Sequence, residues 1–197
     1  VTDAVETPSA SPDGEPAEPK EPKARSLRDA VEWIAIVAGA LVVAVVVKTF
    51  LIQAFFIPSL SMYPTLDKGD RVLVNKLSYH LHDIHHGDVV VFERPPGAPE
   101  DGIKDLIKRV VGLPGDTVEA RDGALYVNGK RQTEPYVDTG DQTVNLNRQR
   151  VPDHMLFVMG DNRDNSTDSR AFGPIDEDLV VGRAFVTVWP LNKWGGL

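Results

Sequence analysis

The 197-residue sequence contains no cysteine. That absence excludes a disulfide scaffold, a thiolate zinc site and a cysteine nucleophile, and it fits an oxidising compartment where an unpaired thiol is a liability. An excess of basic residues is also missing: 29 Asp and Glu stand against 21 Lys and Arg, a formal net charge of -8. A nucleic-acid binder would carry a basic field, so no nucleic-acid partner is expected. Bulky apolar residues are scarce over residues 1–24, where Val1 and Val5 stand alone among Pro, Glu, Asp, Ala and Ser. Such a segment cannot bury enough surface to offset its conformational entropy. Residues 1–28 therefore read as a disordered tail. Beyond residue 55 there is no internal repeat and no long amphipathic helical pattern.

What is present begins with an apolar run. Residues 33–47 hold fifteen positions without a polar side chain; Lys48 and Thr49 follow, and Phe50-Leu51-Ile52 resumes the run. A helical membrane span needs roughly 20 residues, and residues 33–52 reach that length if Lys48 extends its ammonium toward the headgroups. The rival is a cleaved secretory signal, but Gln53-Ala54-Phe55-Phe56 puts large aromatics where a cleavage site wants small residues. The expectation is a retained transmembrane anchor over residues 29–53. Lys20, Lys23, Arg25 and Arg28 lie just before the run, so the tail is expected to be cytoplasmic and residues 54–197 extracytoplasmic.

Those later residues follow a strand pattern. Val72-Leu73-Val74, Asp88-Val89-Val90-Val91-Phe92 and Met155-Leu156-Phe157-Val158-Met159 are short apolar or β-branched runs bounded by Gly, Pro, Asp and Asn. Asp122-Gly123 and Asn128-Gly129 are strong tight-turn signals on either side of Ala124-Leu125-Tyr126-Val127. Residues 183–189 alternate and end at Pro190. The fold class expected is mainly β, an antiparallel β-sheet domain preceded by one N-terminal transmembrane helix.

Three segments carry chemistry. In Ile57-Pro58-Ser59-Leu60-Ser61-Met62-Tyr63-Pro64-Thr65 two serines sit two apart in a proline-rich turn, which alone reads as a turn. In Ile107-Lys108-Arg109-Val110-Val111-Gly112-Leu113-Pro114-Gly115-Asp116 a lysine falls within an apolar strand, as a buried amine or as a surface lysine laid along the sheet. Gly160 to Arg170 is an almost unbroken polar run directly after an apolar strand. A fourth cluster, His80, His82, Asp83, His85, His86 and Asp88, holds four of the five histidines. Its spacing aligns no ligand set, so it reads as a solvated loop and no metal is expected.

These segments, in this order after an apolar run, resemble the bacterial type I signal peptidases, whose boxes read Ser-x-Ser-Met-x-Pro-Thr, Lys-Arg-x-x-Gly-x-Pro-Gly-Asp and a Gly-Asn-Arg-Asn-Ser-rich stretch. Gly69-Asp70-Arg71-Val72-Leu73-Val74-Asn75-Lys76 is similar to a fourth family box. The resemblance implies a signal-peptidase-type β core with Ser61 as nucleophile and Lys108 as general base. It implies Ser166 as the hydroxyl that orients the amine, and Ser59 as an oxyanion-hole donor beside the Ser61 N–H. Asp168 and Arg170 become a structural ion pair, and Ile57 and Ile107 line substrate pockets; no cofactor is implied. The implied partners are secretory preproteins, cut after small residues, together with the lipid bilayer and the secretion translocon. The implied location is the cell membrane, single-pass. Thr167 departs from the family's alanine, and residues 119–152 are short, leaving room only for a β-hairpin cap.

The pairing is chemically coherent. A serine hydroxyl is weak until a base takes its proton, and lysine is a base only once burial lowers its pKa from about 10.4 by roughly 3 or more. Ser61 follows Ile52 by nine residues, at most about 30 Å of chain, which keeps it close to a bilayer holding the anchor. Three alternatives stand beside this reading. They are a self-cleaving repressor-type Ser-Lys hydrolase, a maturation peptidase with one pilin substrate, and a tethered β module without catalysis.

Overall fold

The computed structural model describes residues 27–47, 51–100 and 102–197, the side chains of Val46 and His80 apart. The expected disordered tail lies outside the described residues up to residue 26. The first element, α1 (Leu27–Val46), is a 20-residue helix. Ala, Leu and Val fill its second half, while Arg28, Asp29 and Glu32 occupy its start. Among the described residues no helix is long and apolar enough to cross a membrane.

The chain divides into two units, residues 1–41 and residues 42–197, and the second holds all the strands. The expected anchor ran to residue 53, but Ile52 and Gln53 already belong to a strand, β1 (Ile52–Phe56), paired antiparallel with β2 (Arg71–Asn75). Backbone pairing of Ile52 with Asn75 and Gln53 with Val74 satisfies amides that a helix would otherwise have to satisfy.

β1 and β2 open a large sheet that continues through β3 (Val89–Glu93), β4 (Asp105–Gly112), β9 (Met155–Met159), β10 (Ile175–Asp176), β11 (Val180–Trp189) and β12 (Gly195–Gly196). The strand order is β1-β2-β11-β3-β4-β9-β10, with β12 added to β11, and every pairing is antiparallel. β3 lies in the middle, covered on both faces, which is why it reads as an unbroken apolar run. Val89 and Val91 pack with Ile57, Met62, Leu66 and Ile107 on one face. Val90 and Phe92 pack with Val110, Leu156, Val158 and Ile175 on the other. Between these strands the chain makes two four-residue helices, α2 (Ser78–Leu81) and α3 (Ser169–Phe172).

The segment expected to form a hairpin cap forms a second sheet of four strands, β7-β6-β5-β8. These are β5 (Thr117–Arg121), β6 (Ala124–Val127), β7 (Lys130–Arg131) and β8 (Gln149–Arg150). Asp122 and Gly123, then Asn128 and Gly129, all take positive φ, the geometry of two-residue hairpin turns whose twist matches the flanking strands. Val118, Leu125 and Val127 pack against Val111, Phe157 and Met159, which fastens this sheet to the ends of β4 and β9.

Candidate active site

β4 sets the site's geometry. Side chains alternate across a strand, and Lys108, directly opposite Val90, shares a face with Leu106 and Val110. The lysine is 4% exposed. Its Nζ donates to Ser61 Oγ at 2.8 Å and to the Ile107 carbonyl at 2.9 Å. Ser61, also buried, lies on the turn between β1 and β2, anchored by Met62 and Leu66 in the core beneath it. Burial pushes the Lys108 pKa down to about 8, against the pull of Asp168 and Asp161 in the other direction. At pH 7 roughly one amine in ten is then neutral, against fewer than about one in a thousand for a free lysine.

The remaining expected residues gather around this pair with differing geometry. The Ser59 hydroxyl donates to Ser61 Oγ at 3.3 Å. Ser166 Oγ is buried without a well-formed hydrogen bond, yet it lies near enough to Asp168 to favour that carboxylate's charge; no bond joins it to Lys108. A Cβ on Gly160 would collide with Ser166 Oγ and the Ser61 carbonyl oxygen, so only glycine lets the two loops meet here. Arg170 donates from Nε and Nη2 to the two oxygens of Asp168, each at 2.9 Å. Burial pushes the Asp168 pKa up, but Arg170 and the Gly160 N–H outweigh it and hold the carboxyl below its usual range. Asp168 also caps α3 by accepting from the Arg170 N–H.

The dyad opens into a cleft of about 400 Å³ lined by Ser59, Leu60, Ser61 and Lys108, by Arg94, Ala98, Pro99 and Ile103 of the β3–β4 loop, and by Asp164 to Thr167. Leu106 and Phe172 complete it. Ile57 and Ile107, expected to line substrate pockets, pack in the core at 2% and 7% exposure and are not among the residues around this cleft. Ile107 follows from alternation, because it points to the face of β4 opposite Lys108. A larger cavity of about 830 Å³, around Lys76, Tyr79, Leu113 and Val180, shares no residue with the cleft at Ser61 and Lys108.

Residue-by-residue reading missed the charged frame around the dyad. Arg109 donates to both oxygens of Asp161 at 2.8 and 2.6 Å and to the Gly87 carbonyl, and Asp161 also accepts from Thr65 Oγ1 at 2.5 Å. The Tyr136 ring lies 4.0 Å from the Arg109 guanidinium carbon. Arg163, fully buried, donates to Glu134 through both terminal nitrogens, to Thr143 and to the Gly160 carbonyl. The signal available was position: Arg109 adjoins Lys108, and Asp161 and Arg163 fall within the third box.

Among the described residues no group of three or more His, Asp or Glu side chains is placed to hold a metal ion. His86 Nε2 instead lies 2.6 Å from Asp116, which also accepts from the Leu113 N–H and Asn128 Nδ2.

Comparison with known proteins adds kinship to this geometry. Residues 30–189 match the family model described as signal peptidase, peptidase S26. A probable signal peptidase I-1 of a Synechocystis species is 41% identical over 169 residues, 84% of this chain and 86% of that protein. A signal peptidase I of Leptolyngbya laminosa is 35% identical over 98% of this chain and 96% of its own length. A signal peptidase IB of Staphylococcus aureus is 38% identical over 85% of this chain and 93% of its own. A solved signal peptidase I from Enterococcus faecalis is 32% identical and covers 52% of this chain and 97% of its own, with a TM-score of 0.43.

Proposed function

The chain belongs to the signal peptidase family, peptidase S26, and is an enzyme of the signal peptidase I class; from that premise we propose that it is a membrane-anchored Ser-Lys endopeptidase. Its substrates are preproteins with N-terminal signal peptides, cut after small residues at the outer surface of the cytoplasmic membrane. The observation that carries the dyad is the 2.8 Å contact between Lys108 Nζ and Ser61 Oγ inside a cleft.

The neutral Lys108 amine takes the Ser61 proton as Oγ attacks the scissile carbonyl carbon. Negative charge then collects on the former carbonyl oxygen, where the Ser61 N–H and, after leaving Ser61 Oγ, the Ser59 hydroxyl donate. The Lys108 ammonium returns its proton to the departing amine, and the mature chain leaves with a new N-terminus. Water, deprotonated by the same amine, attacks the acyl-serine ester and frees the signal peptide with Ser61 restored. Burial lowers the basicity of the resting amine enough for a share of it to be neutral near working pH, while Asp161 and Asp168 favour the ammonium when it forms. The Asp168–Arg170 pair holds the Gly160–Ser166 loop against the dyad.

Anchoring rests on the apolar residues 33–47, the basic residues before them and the apolar Phe50 and Leu51 that precede β1; α1 alone does not reach a span. Exposed Phe56, Trp189, Leu191 and Trp194 suit an interfacial layer. The proposed topology puts the N-terminus in the cytoplasm and the catalytic unit outside, where substrates arrive from the translocon. Incubating the full chain in detergent with a preprotein, then sequencing the product's N-terminus, tests the activity. A single cut after small residues, lost in Ser61→Ala, is the expected result. Protease added to intact cells should remove the C-terminal mass, and cutting only in inside-out vesicles would reverse the topology.

A further inference from the structure

The turn that carries Ser61 is held from the side by one residue of the polar loop. Asn162 Nδ2 donates to the Leu60 carbonyl at 3.1 Å, and the Asn162 N–H donates to the Ser61 carbonyl at 3.2 Å. Two successive peptide planes of the nucleophile turn are therefore fastened to Asn162 from outside the turn, the Leu60 carbonyl also accepting from the Tyr63 N–H at 3.0 Å within it. The Leu60–Ser61 peptide is trans, so its C=O and N–H point in opposite directions. Holding the Leu60 carbonyl toward Asn162 turns the Ser61 N–H away from it. Among the described residues nothing accepts that N–H.

Asn162 is itself firmly placed. Asp161 on one side is clamped by Arg109 and Thr65. Arg163 on the other is clamped by Glu134 and Thr143, and its N–H donates to Asp141. The Asn162 side-chain oxygen accepts from the Asn165 N–H and caps the short 3-10 turn Arg163–Asn165. One amide thus does two separable jobs: its oxygen caps the loop and its nitrogen holds the Leu60 carbonyl.

We propose that Asn162 is a positioning residue that aims the Ser61 N–H at the developing oxyanion by fixing the Leu60–Ser61 peptide plane from behind. The inference rests on Ser61 being the nucleophile. If the plane rotates, the backbone donor is misdirected while nucleophile and base stay in contact. Losing one oxyanion-hole donor outright costs roughly 10²–10³ in kcat, so a misaimed donor should cost about 10–100-fold.

Asn162→Asp separates the two jobs, because it keeps an oxygen to cap Asn165 and replaces the NH2 donor with an acceptor that repels the Leu60 carbonyl. In the full chain, with a preprotein substrate, kcat should fall about 10–100-fold with KM within about threefold. The acidic limb of the pH profile should stay in place in Asn162→Ala, which adds no charge and leaves the base untouched, whereas the new carboxylate of Asn162→Asp should move it upward, in the direction in which Asp161 and Asp168 already act. Asn162→Ala should lower kcat similarly and also lower the melting temperature, because it loses the cap. Wild-type kcat in Asn162→Asp beside an impaired Asn162→Ala would reduce Asn162 to a loop cap and overturn the proposal. So would a loss confined to KM, a pH limb shifted in Asn162→Ala, or a kcat loss in Asn162→Asp that merely tracks a lowered melting temperature. Ser61→Ala run alongside separates the two levels. If it retains cleavage, the nucleophile assignment falls; if it is inactive while Asn162→Asp matches the parent, only the positioning role falls.

Discussion

Lys108 and Arg109 are neighbours on β4, both basic and both buried, yet one faces a serine hydroxyl and the other a carboxylate. A guanidinium carries a permanent charge in proteins that burial requires to be matched, and the fold matches that of Arg109 with Asp161, Gly87 and the Tyr136 ring. Lys108 can lose its proton and makes no salt bridge among the described residues. The buried acids that act on Lys108 are already engaged, Asp161 by Arg109 and Asp168 by Arg170, and Asp164, which also lines the cleft, is exposed. Each buried carboxylate near the dyad has its own arginine, which leaves none to pin the lysine as an ammonium. The charged frame thus fixes loops, and by absorbing the carboxylates it leaves the amine without a charged partner, as the proposed role of a base requires.

The largest effect should come from giving the first position the chemistry of the second. Lys108→Arg places a permanently protonated group beside Ser61, and kcat/KM on a preprotein should fall by more than about 10³-fold at every pH from 7 to 10. The parent should show an acidic limb near pH 8, rising as the ammonium loses its proton. Substantial activity in Lys108→Arg would make the amine structural and dissolve the contrast between the two neighbours.

Next comes the frame. Asp161→Asn removes the charge that Arg109 was matched to and leaves a buried guanidinium uncompensated, a loss of about 3–5 kcal/mol for breaking such a pair. Denaturant titration would measure it. A loss below about 1 kcal/mol would put the pair in the class of exposed salt bridges. On the dyad side, Ser59→Ala should lower kcat by roughly 10²–10³ with little change in KM. A pure KM effect would mean that Ser59 only positions substrate.

How far the sequence carried this contrast depends on the range of the interactions. The turns at Asp122-Gly123 and Asn128-Gly129 and the buried run of β3 are local, and each reads from a few adjacent residues. The Ser61–Lys108 pair was reached through family boxes, not spacing, because 47 residues separate the two. The second sheet was underestimated because β7 and β8 are two residues each and show no periodicity. Arg163 lies in a polar run that reads as solvated, and its burial depends on Glu134, 29 residues away. Ile57 and Ile107 were apolar in the expected places, but only the packed structure distinguishes a core residue from a pocket wall.

The smallest predicted effect carries the opposite sign. A lysine whose pKa falls from 10.5 to about 8 on folding destabilises the fold. Below about pH 8 both states hold the proton and the folded state bears the whole penalty. Between about 8 and 10.5 the unfolded chain binds more protons than the folded one, so stability rises with pH. Above 10.5 both amines are neutral and the penalty is gone. The drop corresponds to about 3 kcal/mol, offset by about 1 kcal/mol for each of the two hydrogen bonds that a replacement cannot make. Lys108→Met, similar in volume and uncharged, should therefore be inactive yet more stable than the parent by about 1–2 kcal/mol at pH 7. Denaturant titrations at pH 7 and pH 10.5 should show that advantage and then its disappearance. An advantage that is absent at pH 7, or equal at both values, would mean that the buried amine is not held against its own solvation, and the neighbours on β4 would differ only in their partners.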